Sequence, residues 1–394
     1  MRLSNGWVRQ AVSEAVSAVD RRWLVRALTL AENGLFTATP NPRVGCVICR
    51  SGRVIGEGWH RAAGEAHAEI IAMRQCDNNL RDADVYVNLE PCAHEGRTPP
   101  CAPLLAAARP ARVVIATLDP NPTVSGKGVA LLRDAGIDVV VVPPSDIIFQ
   151  QALALNIGFV SRMVRKRPWL QLKIAATLDG KTALSSGLSR WISGERARID
   201  AHYLRARSCA ILTGIGTAQA DDPQLTVRHV HTPRQPQRIL VDRHLQATST
   251  LRLFAGGAIV ASAQSVPDFF ADGVEVLSLP DSSGRVDLLQ LMCELSARGI
   301  NEVLVEAGRR LSGALLAAGL VDEIVLYQAP RVFGDSAFSM FDAPAPSTPA
   351  EAPTFALRQI EPLGDGDIKI IYDSLTAQQQ LTAGIIDAAT AKNA

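Results

Sequence analysis

An α/β fold in two successive domains is what this sequence predicts, on three observations. The chain has 394 residues, more than one ordinary hydrophobic core accommodates, so two domains of normal size are expected. Hydrophobic residues make up 47% and charged residues 20%, the balance of a globular chain. Short apolar runs alternate with helical periodicities up to about Arg162 and do so again from about residue 167, the pattern of α/β layers.

From Asp20 to about Leu35 the apolar spacing is helical, and residues 1–19 are read as an N-terminal extension. "TPNPRVG" breaks that helix, and "VGCVICRSGRVIGEGW" reads as a strand, a Ser-Gly turn and a second strand, which make a hairpin. A helical "HAEIIAMRQC" follows, then the strand "DVYVNLEP", a proline-bearing loop and the helix "APLLAAA". The strand "RVVIATLD", the helix "GVALLRDAG" and the strand "IDVVVVP" complete a domain over residues 20–163. The second alternation runs through "PWLQLKIAATLDG", "SCAILTGIGT", "QRILVD", "GAIVASA", "NEVLVEAG", a helix and "EIVLYQAP", giving a domain over 167–375. Residues 376–394 are small and polar and read as a loose tail or an uncapped helix with no assigned function.

Lys+Arg number 40 against Asp+Glu 39, so nothing in the charge balance suggests nucleic acid as a partner. The densest basic stretch, "RMVRKRP" at 162–168, is short and sits at the junction between the domains. No apolar run is long enough to span a bilayer, so no membrane association is expected, and the N-terminus lacks a secretory pattern. Seven irregularly spread cysteines do not make a disulfide framework; a reducing cytoplasm fits better.

Two thiols, Cys92 and Cys101, flank the loop "CAHEGRTPPC", and a disulfide, a metal or plain packing are all open to such a pair. "HAE" supplies His67 and Glu69, which at a helix start can reach one site. Pro100-Cys101 stands just before a helical segment, where the positive end of the helix dipole favours a thiolate. One His and two Cys make three ligands, so a tetrahedral Zn²⁺ keeps a fourth position for water, as catalytic sites do. Water bound there is acidic enough to furnish hydroxide near neutral pH, and Glu69 is placed to move its proton to a ring nitrogen and then to departing ammonia. That is hydrolytic deamination of an amidine-like carbon. The usual nucleobase-deaminase signature closes with Cys-x-x-Cys, whereas eight residues separate Cys92 from Cys101 here. Cys46 and Cys49 form a Cys-x-x-Cys inside an apolar strand, and are read as buried small hydrophobes. Cys76, Cys209 and Cys293 are read as core or surface thiols, His60 and His94 as possible substrate contacts, and His202 as a helix-surface histidine.

The expanded loop "LEPCAHEGRTPPC" resembles the zinc loop of the bifunctional riboflavin-biosynthesis deaminase/reductase family. "TPNPRVGCVI", "HAE", "DPNPTVSGKG", "LKIAATLDGKTA", "SRWISG", "GIGTAQADDPQLTVR" and "VLVEAG" resemble further segments in the family's order, over roughly residues 20 to 373. The resemblance implies a cytidine-deaminase-like zinc domain followed by a dihydrofolate-reductase-like domain. It implies two reactions on a small pyrimidine ribosyl phosphate. In the first, 2,5-diamino-6-ribosylamino-4(3H)-pyrimidinone 5′-phosphate loses its 2-amino group; in the second, NADPH reduces the ribose side chain to ribityl. It further implies a homo-oligomer built through the reductase domains. By matched motif His67, Cys92 and Cys101 are zinc ligands, Glu69 is the proton shuttle and Asn41 is a substrate-ring contact, with a turn residue between two prolines as the competing reading of Asn41. Arg97 and Thr98 hold a phosphate or merely brace the loop.

In the second domain no Gly-x-Gly-x-x-Gly follows a strand, which argues against a Rossmann domain. "TGIGT" and "VLVEAG" each put glycine after an apolar strand, where backbone can approach phosphate oxygens. By the resemblance, Ala175, Trp191, Thr217, Asp221 and the Gly308 loop contact NADPH, while Ser189, Arg205, Leu225, Arg228 and Glu306 hold substrate. Two arginines suit its phosphate. Lys173 is the candidate for polarising or protonating the sugar during hydride transfer, with Asp221 competing for that role. Ala307 stands where the family commonly has glycine, and its methyl is expected to crowd a pyrophosphate if that position needs positive φ. Asn88, Ser193 and Cys209 are further departures, from a usual Thr or Ser, Thr and Asp. The alternatives are a deaminase whose reductase domain has lost activity, a non-enzymatic zinc module, and an RNA base-editing enzyme, the last disfavoured by the neutral charge.

Overall fold

The computed structural model describes residues 16–95, 99–266 and 270–390. They group into two compact units, one holding the chain up to Arg165 together with the segment from Gln379, the other Lys166–Gln378.

The first unit opens with α1 (Ala18–Glu32), started by a capping box: the Asp20 N–H donates to Ser17 Oγ at 3.1 Å and the Ser17 N–H donates to the Asp20 carboxylate at 2.9 Å. Such a cap stabilises by about 1 kcal/mol. The same carboxylate receives Arg112 at 2.7 Å, which ties the helix start to the sheet. The hairpin forms as its turn residues require, β1 (Gly45–Arg50) and β2 (Arg53–Trp59) meeting antiparallel through Ser51 and Gly52, both at positive φ. After α2 (Ala68–Arg74) come β3 (Ala83–Val87), α3 (Cys101–Ala108), β4 (Arg112–Ile115), α4 (Lys127–Asp134) and β5 (Asp138–Val141). The sheet order is β2-β1-β3-β4-β5, with β3, β4 and β5 parallel and β1 antiparallel to β3. Loops leaving the carboxyl ends of β3 and β4 therefore open beside this reversal of strand direction, where α/β sheets bind ligands.

Two glycines decide how α2 lies on the hairpin. A Cβ on Gly58 would stand 2.2 Å from the Ala68 carbonyl oxygen, and one on Gly56 would stand 2.3 Å from that of Ala72. Backbone meets backbone there, and the helix start that carries His67 and Glu69 is fixed by that approach. Two helices absent from the sequence reading, α5 (Ile147–Leu155) and α6 (Ile157–Arg165), close the unit. Their apolar run has no turn signal except Asn156, whose side chain accepts from the Arg43 N–H at 2.7 Å and donates to the Arg43 carbonyl at 2.9 Å.

The second unit holds β6 (Trp169–Thr177), β7 (Lys181–Ala183), α7 (Glu195–Arg207), β8 (Ala210–Gly214), α8 (Ile215–Asp221), β9 (Gln237–Val241), β10 (Ala258–Ser262), β11 (Val274–Ser278), α9 (Leu288–Ala297), β12 (Glu302–Val305), α10 (Arg309–Ala317), β13 (Glu323–Ala329), β14 (Phe338–Ser339), β15 (Ala356–Pro362) and β16 (Ile368–Asp373). The large sheet runs β11-β10-β9-β8-β12-β6-β13-β16-β15, parallel from β11 through β13 and antiparallel over the last two strands. Alternation along β6 sends Leu170, Leu172, Ile174 and Ala176 into one core, and turns Ala175 to the opposite face with Leu304, Val325, Tyr327, Ile371 and Leu204 of α7. Lys173 lies on that second face by the same period of two. The sequence reading passed over α7, whose inward side carries Asp200, Arg205 and Arg207, each in an ion pair; charge on the buried face hides the helical apolar period. It also passed over β15 and β16, which lie beyond the βα alternation.

The segment read as a tail is helical as α11 (Leu375–Thr390), buries Leu381 and Ile385, and from Gln379 groups with the first unit. Among the described residues no single helix is long and apolar enough to cross a membrane. Gly58→Ala is expected to cost about 2 kcal/mol by overpacking and to lower zinc content through displacement of α2, checked by denaturant melts and metal analysis of the same preparation; unchanged zinc with unchanged stability would contradict the backbone-contact account.

Candidate active sites

In the first unit, His67 is the N-cap of α2, its backbone extended, and Glu69 falls in the first turn. Cys101 is the first residue of α3, and Cys92 leaves the loop after β3. The N–H of Cys101 donates to Cys92 Sγ at 3.3 Å and that of Ala102 to the Cys92 carbonyl at 3.0 Å, so the start of α3 is aimed at Cys92. A tetrahedral zinc with bonds of about 2.3 Å to sulfur and about 2.0 Å to nitrogen holds such donors roughly 3.5 to 3.8 Å apart. Here His67 Nδ1 lies 3.2 Å from Cys101 Sγ and 3.5 Å from Cys92 Sγ, and all three donor atoms fall within 4.8 Å of one another. The set fits zinc in number and softness, and the His–Cys spacings match to within a few tenths of an ångström. Hydrogen bonding from Cys101, and then from His67, overcomes burial and holds Cys92 down at about 4; the same pairing and burial push Cys101 up.

Glu69 is 3% exposed. Burial, reinforced by the nearby Cys92, pushes its carboxyl up to about 7. Its Oε2 is buried with no hydrogen-bond partner among the described residues, an arrangement that calls for an explanation in a folded protein. A carboxylate whose free oxygen accepts and releases a proton of bound substrate or water supplies one.

Other side chains frame this centre. Asn41 Nδ2 is 3.0 Å from His60 Nε2, His60 Nδ1 is 3.2 Å from the Ala66 carbonyl, and the His60 and His67 rings meet edge to face at 5.3 Å. Glu90, which the sequence reading missed, accepts from the backbone N–H groups of Asp119 at 3.2 Å, Gly126 at 3.0 Å and Val129 at 3.1 Å. It clamps the loop before α4 onto the segment that carries Cys92, and its signal was there to find: a carboxylate between an apolar strand and a Pro-Cys. Asn88 bonds the Gly45 N–H at 2.8 Å and the Arg43 carbonyl at 2.9 Å, so this departure from Thr or Ser braces two loops. Arg97 and Thr98 lie outside the described residues. Cys46 and Cys49 are buried in β1, and burial pushes both thiols up.

In the second unit, Arg205 and Glu306 form a two-bonded ion pair at 2.6 and 3.0 Å, and Arg205 also donates to the Thr226 carbonyl at 2.9 Å. Burial pushes Glu306 up, yet the Arg205 charge and hydrogen bonds, followed by Lys173, outweigh it and hold the carboxyl at about 2. Lys173 Nζ sits 5.7 Å from the centre of the Tyr327 ring, and burial lowers its pKa against the pull of Glu306. The Gly308 N–H donates to Thr217 Oγ1 at 3.0 Å, which brings two candidate cofactor contacts together. Asp221, at the end of α8, pairs with Arg190 at 3.0 Å, and the Trp191 ring lies under Arg198 at 4.6 Å. Leu225 is buried at positive φ. Arg228 donates its backbone N–H to His202 Nδ1 at 3.1 Å, and His202 is buried rather than on the helix surface. Ser189 precedes the Arg190-Trp191 peptide, and Ala175 packs beside Tyr327 and Val325.

The family description "Cytidine and deoxycytidylate deaminase zinc-binding region" matches residues 17–117, and "RibD C-terminal domain" matches 168–368. The chain is 43% identical over 359 residues to the riboflavin biosynthesis protein RibD of Escherichia coli K12, covering 88% of this chain and 97% of that one. The chain belongs to the RibD family. The RibD of Haemophilus influenzae is likewise 43% identical, over 90% of this chain and 98% of its own. Among solved structures, Acinetobacter baumannii RibD superposes with a TM-score of 0.83 at 41% identity, covering 90% of this chain and 98% of that one. A Thermotoga maritima diaminohydroxyphosphoribosylaminopyrimidine deaminase/5-amino-6-(5-phosphoribosylamino)uracil reductase superposes at 0.81 with 32% identity, covering 90% and 99%.

Within this RibD-family chain the concern over Ala307 falls away. Ala307 is not among the residues at positive φ, and Gly308 after it sits at φ −76° as the N-cap of α10, so the methyl imposes no backbone strain. Glu90→Gln is expected to weaken zinc binding about tenfold by unclamping the ligand loop, read by chelator competition; unaltered affinity would reduce Glu90 to packing. Glu306→Gln is expected to cost about 3 kcal/mol at pH 7, because it strands the buried Arg205. A carboxylate held below its unfolded pKa of about 4.3 stabilises fully above that value and loses its contribution as pH falls through about 2. The gap in melting temperature between wild type and Glu306→Gln should thus stay constant from pH 7 to 5 and close only in strong acid.

Proposed function

We propose that this chain carries out two consecutive steps of riboflavin biosynthesis. The first is zinc-dependent hydrolytic deamination of 2,5-diamino-6-ribosylamino-4(3H)-pyrimidinone 5′-phosphate; the second is NADPH-dependent reduction of the ribosyl side chain, giving 5-amino-6-(5-phospho-D-ribitylamino)uracil. The observation that carries the first step is the buried Glu69 carboxylate, one oxygen unpartnered, beside the His67, Cys92 and Cys101 donors. Zinc held by those three residues supplies the Lewis acidity that makes water nucleophilic near neutral pH. Glu69 takes the water proton on Oε2, passes it to the ring nitrogen next to C2, and moves a further proton to the leaving amino group, so that water enters and ammonia departs. Asn41 and His60, bonded to each other beside His67, are suited to hold the ring edge.

In the second step the bond from C1′ to the ring oxygen breaks, hydride from NADPH forms the new C1′–H bond, and the oxygen takes a proton. Lys173 supplies that proton. Its ammonium has no hydrogen bond or ion pair among the described residues, which supports a role completed by substrate. Thr217, Gly308, Ala175, Trp191 and Asp221 hold the cofactor, and Arg205, Arg228, Glu306, Ser189 and Leu225 hold the substrate. The reading extends to a homo-oligomer through the reductase domain, which exposed Leu357 and Ile360 on the edge strand β15 support, and to a cytoplasmic setting, which the absence of a disulfide among the described residues supports.

Zinc-loaded protein given the diaminopyrimidinone phosphate should release ammonia and then consume NADPH. Glu69→Gln should keep its zinc and lose on the order of a thousandfold in ammonia release, with NADPH consumption restored when the deaminated intermediate is supplied. Ammonia release at the wild-type rate by Glu69→Gln would remove Glu69 from the mechanism, and ammonia without NADPH consumption would leave a deaminase alone.

A further inference from the structure

A polar cluster in the second unit lies outside every role assigned above. The Tyr327 hydroxyl donates to Asp200 Oδ2 at 2.5 Å, and Lys369 Nζ reaches the same oxygen at 2.6 Å. Tyr327 is fully buried, Lys369 is nearly so, and Asp200 reaches them from α7. Tyr327 and Lys369 are direct cross-strand partners on β13 and β16, so one register fixes both. Lys173 stands over the Tyr327 ring, its ammonium 5.7 Å from the ring centre, within reach of a cation–π attraction. A buried tyrosine hydroxyl cannot move away from its charged acceptor without being left unpaired itself. The face of its ring is thereby locked under Lys173.

We propose that Asp200 is a positioning residue for reduction: by anchoring the Tyr327 hydroxyl together with Lys369, it holds the tyrosine ring as the floor on which the Lys173 ammonium is aimed at substrate. The proposal rests on the reading of Lys173 as proton donor. Neither Asp200 nor Tyr327 is among the residues assigned above to substrate or cofactor; they act through Lys173. A displacement of about 1 Å at a donor costs up to roughly a hundredfold in rate, so the anchor matters for turnover more than for binding.

The test is a set of variants of the full-length, zinc-loaded protein, assayed for reduction with the deaminated intermediate and NADPH, with denaturant melts of the same preparations and their KM for NADPH as the measure of an intact second unit. Lys173→Met should lower kcat on the order of a hundredfold. Tyr327→Phe and Asp200→Asn should each lower kcat about tenfold while KM for both substrates stays within about twofold and ammonia release is unchanged; Asp200→Glu should recover part of the loss. In the double variant Lys173→Met/Tyr327→Phe the loss should equal that of Lys173→Met alone, because residues that act through one group do not add. Wild-type kcat in both Tyr327→Phe and Asp200→Asn, or additive losses in the double variant, would overturn the positioning role while leaving Lys173 in place. Wild-type kcat in Lys173→Met would instead overturn the reading of Lys173, and the positioning role with it. A change confined to KM would mark the cluster as part of the binding pocket and also overturn the proposal.

Discussion

Three donor atoms from separate parts of the chain have to meet within 4.8 Å, and the first unit is built around that requirement. Two of them sit at helix starts, His67 as an N-cap and Cys101 as a first residue. Helix starts are stiff and carry unpaired N–H groups, so the N–H groups that open α3 can both position Cys92 and favour its thiolate. Where those helices begin is set by the sheet: Gly56 and Gly58 seat α2 on the hairpin by backbone contact, and Glu90 fastens the Cys92 segment to the loop that precedes α4. The centre is thus held by backbone packing and backbone hydrogen bonds, which are harder to deform than side-chain contacts.

The second unit meets a different requirement, to keep several charges apart from water without leaving any stranded. Arg205 with Glu306, Arg207 with Glu302 and Lys369 with Asp200 are each paired on one side of the sheet. Removing either member of such a buried pair costs more than the pair contributes, so the set constrains where α7 docks. Lys173 differs from these cations in facing an aromatic ring and in having no carboxylate within bonding distance among the described residues. A cation left in that state inside an otherwise satisfied network is a place where a ligand completes the structure.

The zinc centre was legible in the sequence because a metal dictates donor types: only a few residues offer imidazole nitrogen or thiolate, and "HAE" with two Pro-Cys pairs names all of them. The braces were legible only in part, through the Glu90 carboxylate itself and not through what it holds. Glu90 acts through backbone N–H groups that every residue carries, so nothing in residues 119–129 marks them as its partners. In the second unit six of the seven parallel strands were legible as short apolar runs between turn signals, whereas the half-exposed β11 was passed over, α7 was hidden by its charges, and the antiparallel strands β15 and β16 lie outside the alternation that revealed the rest. Ala307 was a conditional concern: crowding was expected only if that position needed positive φ, and its backbone does not adopt it.

This contrast follows from the chemistry of the two steps. Deamination needs a Lewis acid and one proton carrier, and both demand particular side chains at a particular spacing. Hydride transfer draws its reactivity from the nicotinamide, so the protein contributes placement, and placement can come from a backbone N–H such as that of Gly308, from a hydroxyl such as that of Thr217, or from a ring such as that of Tyr327. Many residue types can position a cofactor, but few can hold zinc. A reductase site therefore spreads its requirements over residues that look ordinary in sequence, and its constraints become visible only when a buried tyrosine, an aspartate on a helix and two lysines on different strands are seen to share one cluster.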